Sequence, residues 1–115
     1  NATRIGKQII TAKITKELVA KFGMTMDDAE GLVSMLRTIN GIEVSAIAKE
    51  ESEEETKLSF RSQAKVDVSK IAVEFGGGGH VRASGATVKG SIDEVFARLN
   101  KRMEKLYEDG DLSDK

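Results

Sequence analysis

The feature that most constrains the fold is a run of four glycines that leads directly into His80, the single histidine of the chain. Glycine loses more backbone freedom on folding than any other residue, so such a run costs stability unless bare backbone is required there. A ligand that lies directly on main-chain amides is one such requirement. With the imidazole of His80 and the guanidinium of Arg82, these amides suit a phosphate or another anion. Alternatively, the glycines only end a helix and turn the chain, which is a common use of glycine.

The first third of the chain predicts one strand and two helices. Gln8–Ile14 alternates and is rich in β-branched residues, which is typical of a strand. Thr15 is expected to cap a short helix that ends at Gly23. Thr25 then begins a capping-box pattern, and apolar residues follow at helical spacing until Gly41.

The middle of the chain predicts an antiparallel hairpin. The apolar pattern alternates over Ile42–Lys49 and again over Thr56–Ser62. The acidic run Glu50–Glu55 between them is interpreted as a solvated loop, because adjacent carboxylates repel and lack metal-ligand spacing. Leu58 and Phe60 are expected on the core face of the second strand. The opposite face would carry Lys57, Ser59 and Arg61.

The last part of the chain predicts two further helices and a strand. Asp67 is positioned to cap a helix that runs through Phe75 into the glycines. Residues 79–81 are interpreted as the start of a short helical turn. Ala86–Lys89 indicates a short strand, and a second capping box begins a final helix from Ser91 to Glu108.

These elements predict a single α/β (α+β) domain with a mixed β-sheet of about four to five strands and packed helices. We expect a boundary segment and first strand at residues 1–14, a binding domain at 15–108 and a flexible tail at 109–115. The chain begins at Asn1 without methionine, which suggests a piece of a longer protein.

Composition excludes several classes of function. The net charge of -1 argues against nonspecific nucleic-acid binding over the whole surface, so any nucleotide contact must be local. The chain has no cysteine and one histidine, which cannot make a thiolate nucleophile or a closed zinc site. No apolar run approaches the roughly 20 residues of a membrane span, so we expect no membrane partner and a cytoplasmic location. Aromatic residues make up 4% of the chain, which favours a ligand of one or two nucleotides over a long stacked strand.

What remains is a binding constellation without a catalytic residue or a metal ligand. A serine and an arginine on a rigid strand are ready donors to an anion. The candidate substrate-binding residues are Ser59, Arg61, Ser62, Gly76, Gly77, Gly78, Gly79, His80 and Arg82.

Three segments form a recognisable set: Leu58–Ser62, Val66–Ala72 and Phe75–Gly85. Together they resemble the accessory domain of the DHH-family phosphoesterases. Asp28–Val33 and Gly41–Val44 look like the subgroup that contains the nano-RNases and the 3′-phosphoadenosine-5′-phosphate phosphatases. The resemblance runs over residues 14–107 or so, and it departs from the family at Ser84, where alanine is common.

The resemblance implies the substrate-binding half of a two-domain enzyme. In that family an N-terminal DHH domain holds two metal ions, usually manganese and alternatively magnesium, that activate water against a phosphoester. No Asp-His-His motif occurs in this chain, so the chain alone is not expected to hydrolyse a substrate. The implied ligands are short RNA or DNA and nucleotide phosphates, with Arg61 and Ser62 on a phosphate, the glycine amides close to the nucleotide, and His80 bonded to a phosphate or terminal group.

Other functions fit the same resemblance. They include a general nucleic-acid-binding domain of the single-strand exonuclease or alanyl-tRNA synthetase type, a cyclic-di-AMP phosphodiesterase and an exopolyphosphatase-related protein. A further alternative is an assembly module in which the glycines only pack, and the long final helix or an edge strand offers a surface for a homodimer.

Overall fold

The computed structural model describes residues 2–38 and 41–108. Over these residues it has six strands and four helices, which occur in the order β1 (Ala2–Ile5), β2 (Ile9–Ile14), α1 (Lys16–Phe22), α2 (Met26–Arg37), β3 (Val44–Ser52), β4 (Glu55–Ser62), α3 (Val68–Glu74), β5 (Gly78–His80), β6 (Ala83–Lys89) and α4 (Ile92–Glu108). The predicted mixed α/β single domain is confirmed, with a slightly higher strand count. The predicted tail at 109–115 lies outside the described residues.

The strands form one mixed sheet in the order β1-β2-β3-β4-β6-β5. β2 and β3 are parallel, with α1 and α2 in the crossover between them, and the other neighbouring pairs are antiparallel. The predicted hairpin is β3 and β4, in which Ala46 lies opposite Phe60. The sheet therefore ends in a two-strand hairpin on each side, with the parallel pair inside.

Helices cover the two faces of the sheet unequally. α3 and α4 pack on one face, around the larger core that includes Phe60, Leu99 and Met103. α1 and α2 pack on the other face over β2 and β3, where Val33 contacts a small cluster with Ile47, and α2 also reaches part of β4. On that second face the residues of β4, β6 and β5 are half-buried or exposed. This part of the sheet is where a ligand can approach the strands.

The predicted caps of α1 and α2 are confirmed. The Thr15 hydroxyl accepts a hydrogen bond from the Leu18 amide at 3.1 Å, and Gly23 ends α1 with a left-handed φ of 64°. Thr25 and Asp28 form a reciprocal capping box, with distances of 3.1 and 2.8 Å. α2 ends at Arg37, with Thr38 as its C-cap, and not at Gly41 as predicted. Ile39, which was expected on this helix, lies outside the described residues.

Gly31 in α2 gives a direct test of local propensity. Its side is open, because an added Cβ would meet nothing within 4 Å, and its φ is not positive. Gly31→Ala should therefore stabilise the chain by about 0.5–1 kcal/mol, since alanine lowers the entropy of the unfolded chain and favours helix. Urea unfolding of the two proteins measures this. A variant less stable than wild type would show that the glycine is required by a contact of α2.

The predicted caps of α3 and α4 are also confirmed. The Asp67 carboxylate accepts from the Ser69 amide at 2.9 Å. Ser91 and Glu94 form the second capping box, with both amide contacts at 3.2 Å. α4 is amphipathic, and none of the described helices has the length and apolar character of a membrane span.

Two local predictions need correction. The acidic run 50–55 is a solvated turn only at Glu53 and Glu54, because β3 continues to Ser52 and β4 begins at Glu55. Two of its carboxylates have partners, since Glu50 accepts from the Lys16 amide at 2.8 Å and Glu51 pairs with Lys49 at 2.9 Å. Residues 79–81 do not begin a helical turn, because Gly78–His80 forms strand β5 on the edge of the sheet. β6 holds these glycines extended despite their low strand propensity.

Candidate functional site

The partly uncovered face of β4, β6 and β5 brings together residues from distant parts of the sequence. Two rows of residues cross these strands side by side: Ser59, Gly85 and Gly78 in one, and Arg61, Ala83 and His80 in the other. Neighbouring strands lie about 4.8 Å apart, so the backbones of Arg61 and His80 are roughly 10 Å apart. Between them the floor has no side chain larger than a methyl group. The site is thus a shallow floor of bare backbone with a cation on one side and an imidazole on the other.

A groove of about 280 Å³ lies on this floor. Its lining residues are Lys57, Leu58, Ser59, Arg61, Gly78, Gly79, Ala83, Ser84 and Gly85. The lining includes two cationic side chains and no carboxylate, so the groove favours an anion. Sequence analysis missed five of the lining residues, which are Lys57, Leu58, Ala83, Ser84 and Gly85. The alternation of β4 had nevertheless placed Lys57 on the same face as Arg61.

Most of the glycines in and around the run are required by the fold itself. A Cβ on Gly77 would lie 2.1 Å from the Gly85 carbonyl oxygen, and one on Gly85 would lie 2.8 Å from the Leu58 oxygen. Gly76 and Gly79 have φ values of 90° and 144°, which side chains rarely adopt. For these positions the structural interpretation of glycine is sufficient.

Gly78 is different. An added Cβ would meet nothing within 4 Å, and its φ is not positive. The fold therefore gives no reason for glycine at this position. Gly78 lines the groove in the same row as Ser59, where a side chain would narrow the space above the backbone. A closely approaching ligand would account for it.

Ser62 does not reach the groove. It is fully buried on the opposite side of β4 from Ser59 and Arg61. Its hydroxyl donates to the Val66 carbonyl oxygen at 2.7 Å. The burial pattern of β4 shows why, since Ser62 falls in the alternating set of core-facing residues.

Arg82 lies in the two-residue turn between β5 and β6, and its guanidinium is engaged inside the protein. It donates to the carbonyl oxygens of Ala64 and Val66, at 2.5 Å each, and to the Ser62 hydroxyl at 3.3 Å. These contacts tie the turn after His80 to the loop at 63–66. The structure thus brings Ser59, Arg61, Gly78 and Gly79 together in the groove. His80 lies in register with Ala83 at the edge of the sheet and does not line the groove, while Ser62 and Arg82 lie in the scaffold beneath it.

Glu43 is a scaffold residue that sequence analysis missed. The residue is only 6% exposed. Its carboxylate accepts hydrogen bonds from the amides of Ala64, Lys65 and Val66 at 2.6–3.2 Å. We call Glu43, Ser62 and Arg82 the buried clamp, because together they bind both the amides and the carbonyls of the 63–66 loop. The one available signal was an acid within an apolar alternating segment.

α3, which leads into the glycines, is fixed at both ends by carboxylates. The side-chain hydrogen bond from Ser69 lowers the pKa of Asp67 at the N-cap below its ordinary value, although desolvation acts in the opposite direction. At the other end Glu74 accepts from Arg102 of α4 at 2.7 and 3.0 Å. This hydrogen bond lowers the pKa of Glu74.

A larger hollow of about 600 Å³ lies between α3 and α4, on the opposite face of the sheet. Its lining mixes four basic and three acidic side chains, and Arg102 is ion-paired with Glu74. Because these charges compensate one another, this hollow suits a phosphate less well than the smaller groove. Within residues 2–38 and 41–108, no group of three or more His, Asp or Glu side chains is arranged to hold a metal ion.

Two bacterial proteins that share one name are similar to this chain in sequence. The bifunctional oligoribonuclease and PAP phosphatase NrnA of Thermus thermophilus is 34% identical over 99 residues, which cover 85% of this chain and 29% of that protein. The Bacillus subtilis protein of the same name is 37% identical over 88 residues, covering 75% of this chain and 28% of that protein. The chain therefore spans less than a third of the length of these relatives.

Solved structures share the fold. An exopolyphosphatase-related protein from Bacteroides fragilis matches 94% of this chain with a TM-score of 0.76 and 29% identity, over 33% of its own chain. The C-Ala domain of Aquifex aeolicus alanyl-tRNA synthetase matches 91% of this chain with a TM-score of 0.65 and 15% identity, over 96% of its own chain. At that identity the second likeness concerns the fold alone.

A sequence profile of the DHHA1 domain matches residues 6–109, which is nearly the whole chain. The match includes the glycine run, His80, and the strand that carries Arg61. The resemblance inferred from those residues is thereby confirmed, and the chain belongs to the DHHA1 domain family of the DHH phosphoesterases.

Proposed function

We propose that this chain is the substrate-binding domain of a metal-dependent phosphoesterase whose catalytic DHH domain lies outside it. The substrates would be short oligoribonucleotides or 3′-phosphoadenosine 5′-phosphate. The observation that carries the proposal is the groove with Lys57 and Arg61, no lining carboxylate and an unexplained glycine at position 78. The names of the NrnA relatives support it, and their greater length leaves room for a second domain.

The proposed roles follow from the positions of the residues. The Arg61 guanidinium would bind a phosphate in the geometry of a charge-assisted pair, with the Ser59 hydroxyl as a second donor. The backbone at Gly78 and Gly79 would approach the ligand closely, and His80 would donate from the far side of the floor. Ser62 and Arg82, which we had expected to touch the ligand, would instead hold these groups in place, as would Gly76 and Gly77.

The chemistry of bond cleavage would belong to the other domain. There, two Mn²⁺ or Mg²⁺ ions would activate water and stabilise the charge of the displaced phosphoester oxygen. This chain would fix the nucleotide so that its phosphoester faces those ions. Positioning of this kind raises the reaction rate because the translational and rotational entropy of the substrate is already lost on binding.

Calorimetric titration of the chain with 3′-phosphoadenosine 5′-phosphate tests the proposal. Arg61→Ala should weaken binding at least about tenfold, because a charge-assisted hydrogen bond contributes about 1.5–3 kcal/mol. Gly78→Ala should weaken it without loss of stability, since its methyl group meets the ligand and not the protein. Gly31→Ala on α2 is the matched glycine control and should bind as wild type. Unchanged affinity in Arg61→Ala would show that the ligand lies elsewhere.

Strand length separates this function from general single-strand binding. If the groove grips one end of the ligand, affinity should stop rising after a few nucleotides. A general binding surface would instead give affinity that grows with length and falls steeply with salt. Titrating ribo-oligonucleotides of two to ten nucleotides at two salt concentrations distinguishes the two, and continued growth would favour the second function.

A further inference from the structure

The groove extends past Arg61 along β4 to a second cation. Lys57, Ser59 and Arg61 are alternate residues of this strand and all line the groove. Alternate residues of a strand are about 7 Å apart, so the backbones of Lys57 and Arg61 are separated by roughly 14 Å. That length exceeds what one phosphate needs, and the Ser59 hydroxyl lies between the two cations.

Neither cross-strand neighbour of Lys57 carries a negative charge. Its cross-strand neighbour on β3 is Lys49, and like charges directly opposite each other destabilise a sheet. Lys49 is paired with Glu51 at 2.9 Å, so its charge is compensated on its own strand. On the other side Lys57 faces Thr87, which is uncharged.

An acidic residue limits this cationic stretch. Glu55 is the next residue of β4 on the same face, and it pairs in register with Lys89 of β6. Glu55 does not line the groove but belongs to a separate hollow with Glu53 and Glu54. The anion-binding stretch of β4 therefore ends at Lys57 and has room for two phosphates.

From this arrangement we infer that Lys57 binds a second phosphate of the same ligand, with Arg61 on the first. The inference rests on the proposed function. It specifies the ligand as one with two phosphates joined through a single sugar, such as a nucleoside 3′,5′-bisphosphate or the phosphorylated end of a short oligoribonucleotide. The long side chains of lysine and arginine cover the remaining distance from the strand to each phosphate. A nucleoside monophosphate uses one of the two cations and binds less tightly.

The test compares two ligands, 3′-phosphoadenosine 5′-phosphate and adenosine 5′-monophosphate, by calorimetry with the chain. Wild type should prefer the bisphosphate by about tenfold or more, the value of one charge-assisted contact. Lys57→Ala should remove most of this preference by weakening the bisphosphate alone, and Lys57→Arg should restore it. Lys101→Ala is the control, because it removes the same charge from α4 on the opposite face of the sheet.

Salt dependence gives a second readout that a structural role of Lys57 would not change. With one phosphate contact fewer, the affinity for the bisphosphate should fall less steeply with salt concentration, because one charge pair fewer is screened. If Lys57→Ala and Lys101→Ala keep the same preference and slope while Arg61→Ala weakens both ligands, this inference is wrong and the proposed function stands. If wild type binds neither ligand, or Arg61→Ala weakens neither, both are wrong.

Discussion

Gly77→Ala should destabilise the chain by about 3 kcal/mol or more, although it adds a single methyl group. The new Cβ would lie 2.1 Å from the Gly85 carbonyl oxygen and 2.6 Å from the Ala86 Cα. Both atoms belong to the backbone of β6, which is hydrogen-bonded between β4 and β5 and has no flexible side chain to move away. Relief therefore requires a shift of the glycine run away from the sheet. Urea unfolding of the variant and wild type measures the loss.

Gly78→Ala, one residue further on, is the control, because its Cβ would meet open space. It should unfold at or above the urea midpoint of wild type, since alanine restricts the unfolded chain more than glycine does. Equal stability of Gly77→Ala and wild type would contradict the close packing described for this run. With both results in hand, a loss of ligand binding in Gly78→Ala is assigned to the groove and not to unfolding.

The sequence predicted the elements whose signals are local. The capping residues Thr15, Thr25 and Ser91 and the left-handed Gly23 are each satisfied within a few residues, so they could be identified without the fold. The alternation of β4 likewise gave the correct face for Arg61. These predictions succeed because the caps depend only on contacts within their own segment. The face of β4 depends only on its apolar residues being buried in a core.

The remaining features depend on partners distant in the sequence. β5 is a strand only because β6 pairs with it, since glycines have no strand preference of their own. Ser62 follows Arg61 directly but points to the opposite side, where it bonds to Val66. Arg61 and Ser62 lie on opposite sides of β4, the groove side and the core side, because successive residues of a strand alternate. The motif alone does not show this division.

The buried clamp accounts for the second large effect that we expect. Glu43→Ala should lower the free energy of unfolding by about 3 kcal/mol, because it leaves three backbone amides of the 63–66 loop without their carboxylate acceptor. Glu51→Ala is the matched control, because Glu51 lies on β3, the strand that Glu43 immediately precedes. It removes a partly exposed carboxylate that pairs with Lys49, and such a pair contributes about 1 kcal/mol or less. Urea unfolding compares the two variants.

Hydrogen exchange locates the effect. In Glu43→Ala the amides of Ala64, Lys65 and Val66 should exchange faster by a larger factor than amides in the centre of β4. Uniformly faster exchange throughout the sheet would show that Glu43 contributes to global stability without holding this loop.

Arg82 donates to carbonyl oxygens of the same loop, so Glu43 and Arg82 of the buried clamp should not act independently. Once Glu43→Ala has released the loop, Arg82→Met should lower the free energy of unfolding by less than it does in the wild-type chain. The total loss in the double variant should therefore be about 1 kcal/mol smaller than the sum of the two single losses. Strict additivity would mean that the carboxylate and the guanidinium hold separate structures. Coupling would mean that the chain fixes the end of β4 after Arg61 and the turn after His80 through one loop. In that case Glu43 and Arg82, which do not line the groove, stabilise the backbone that forms it.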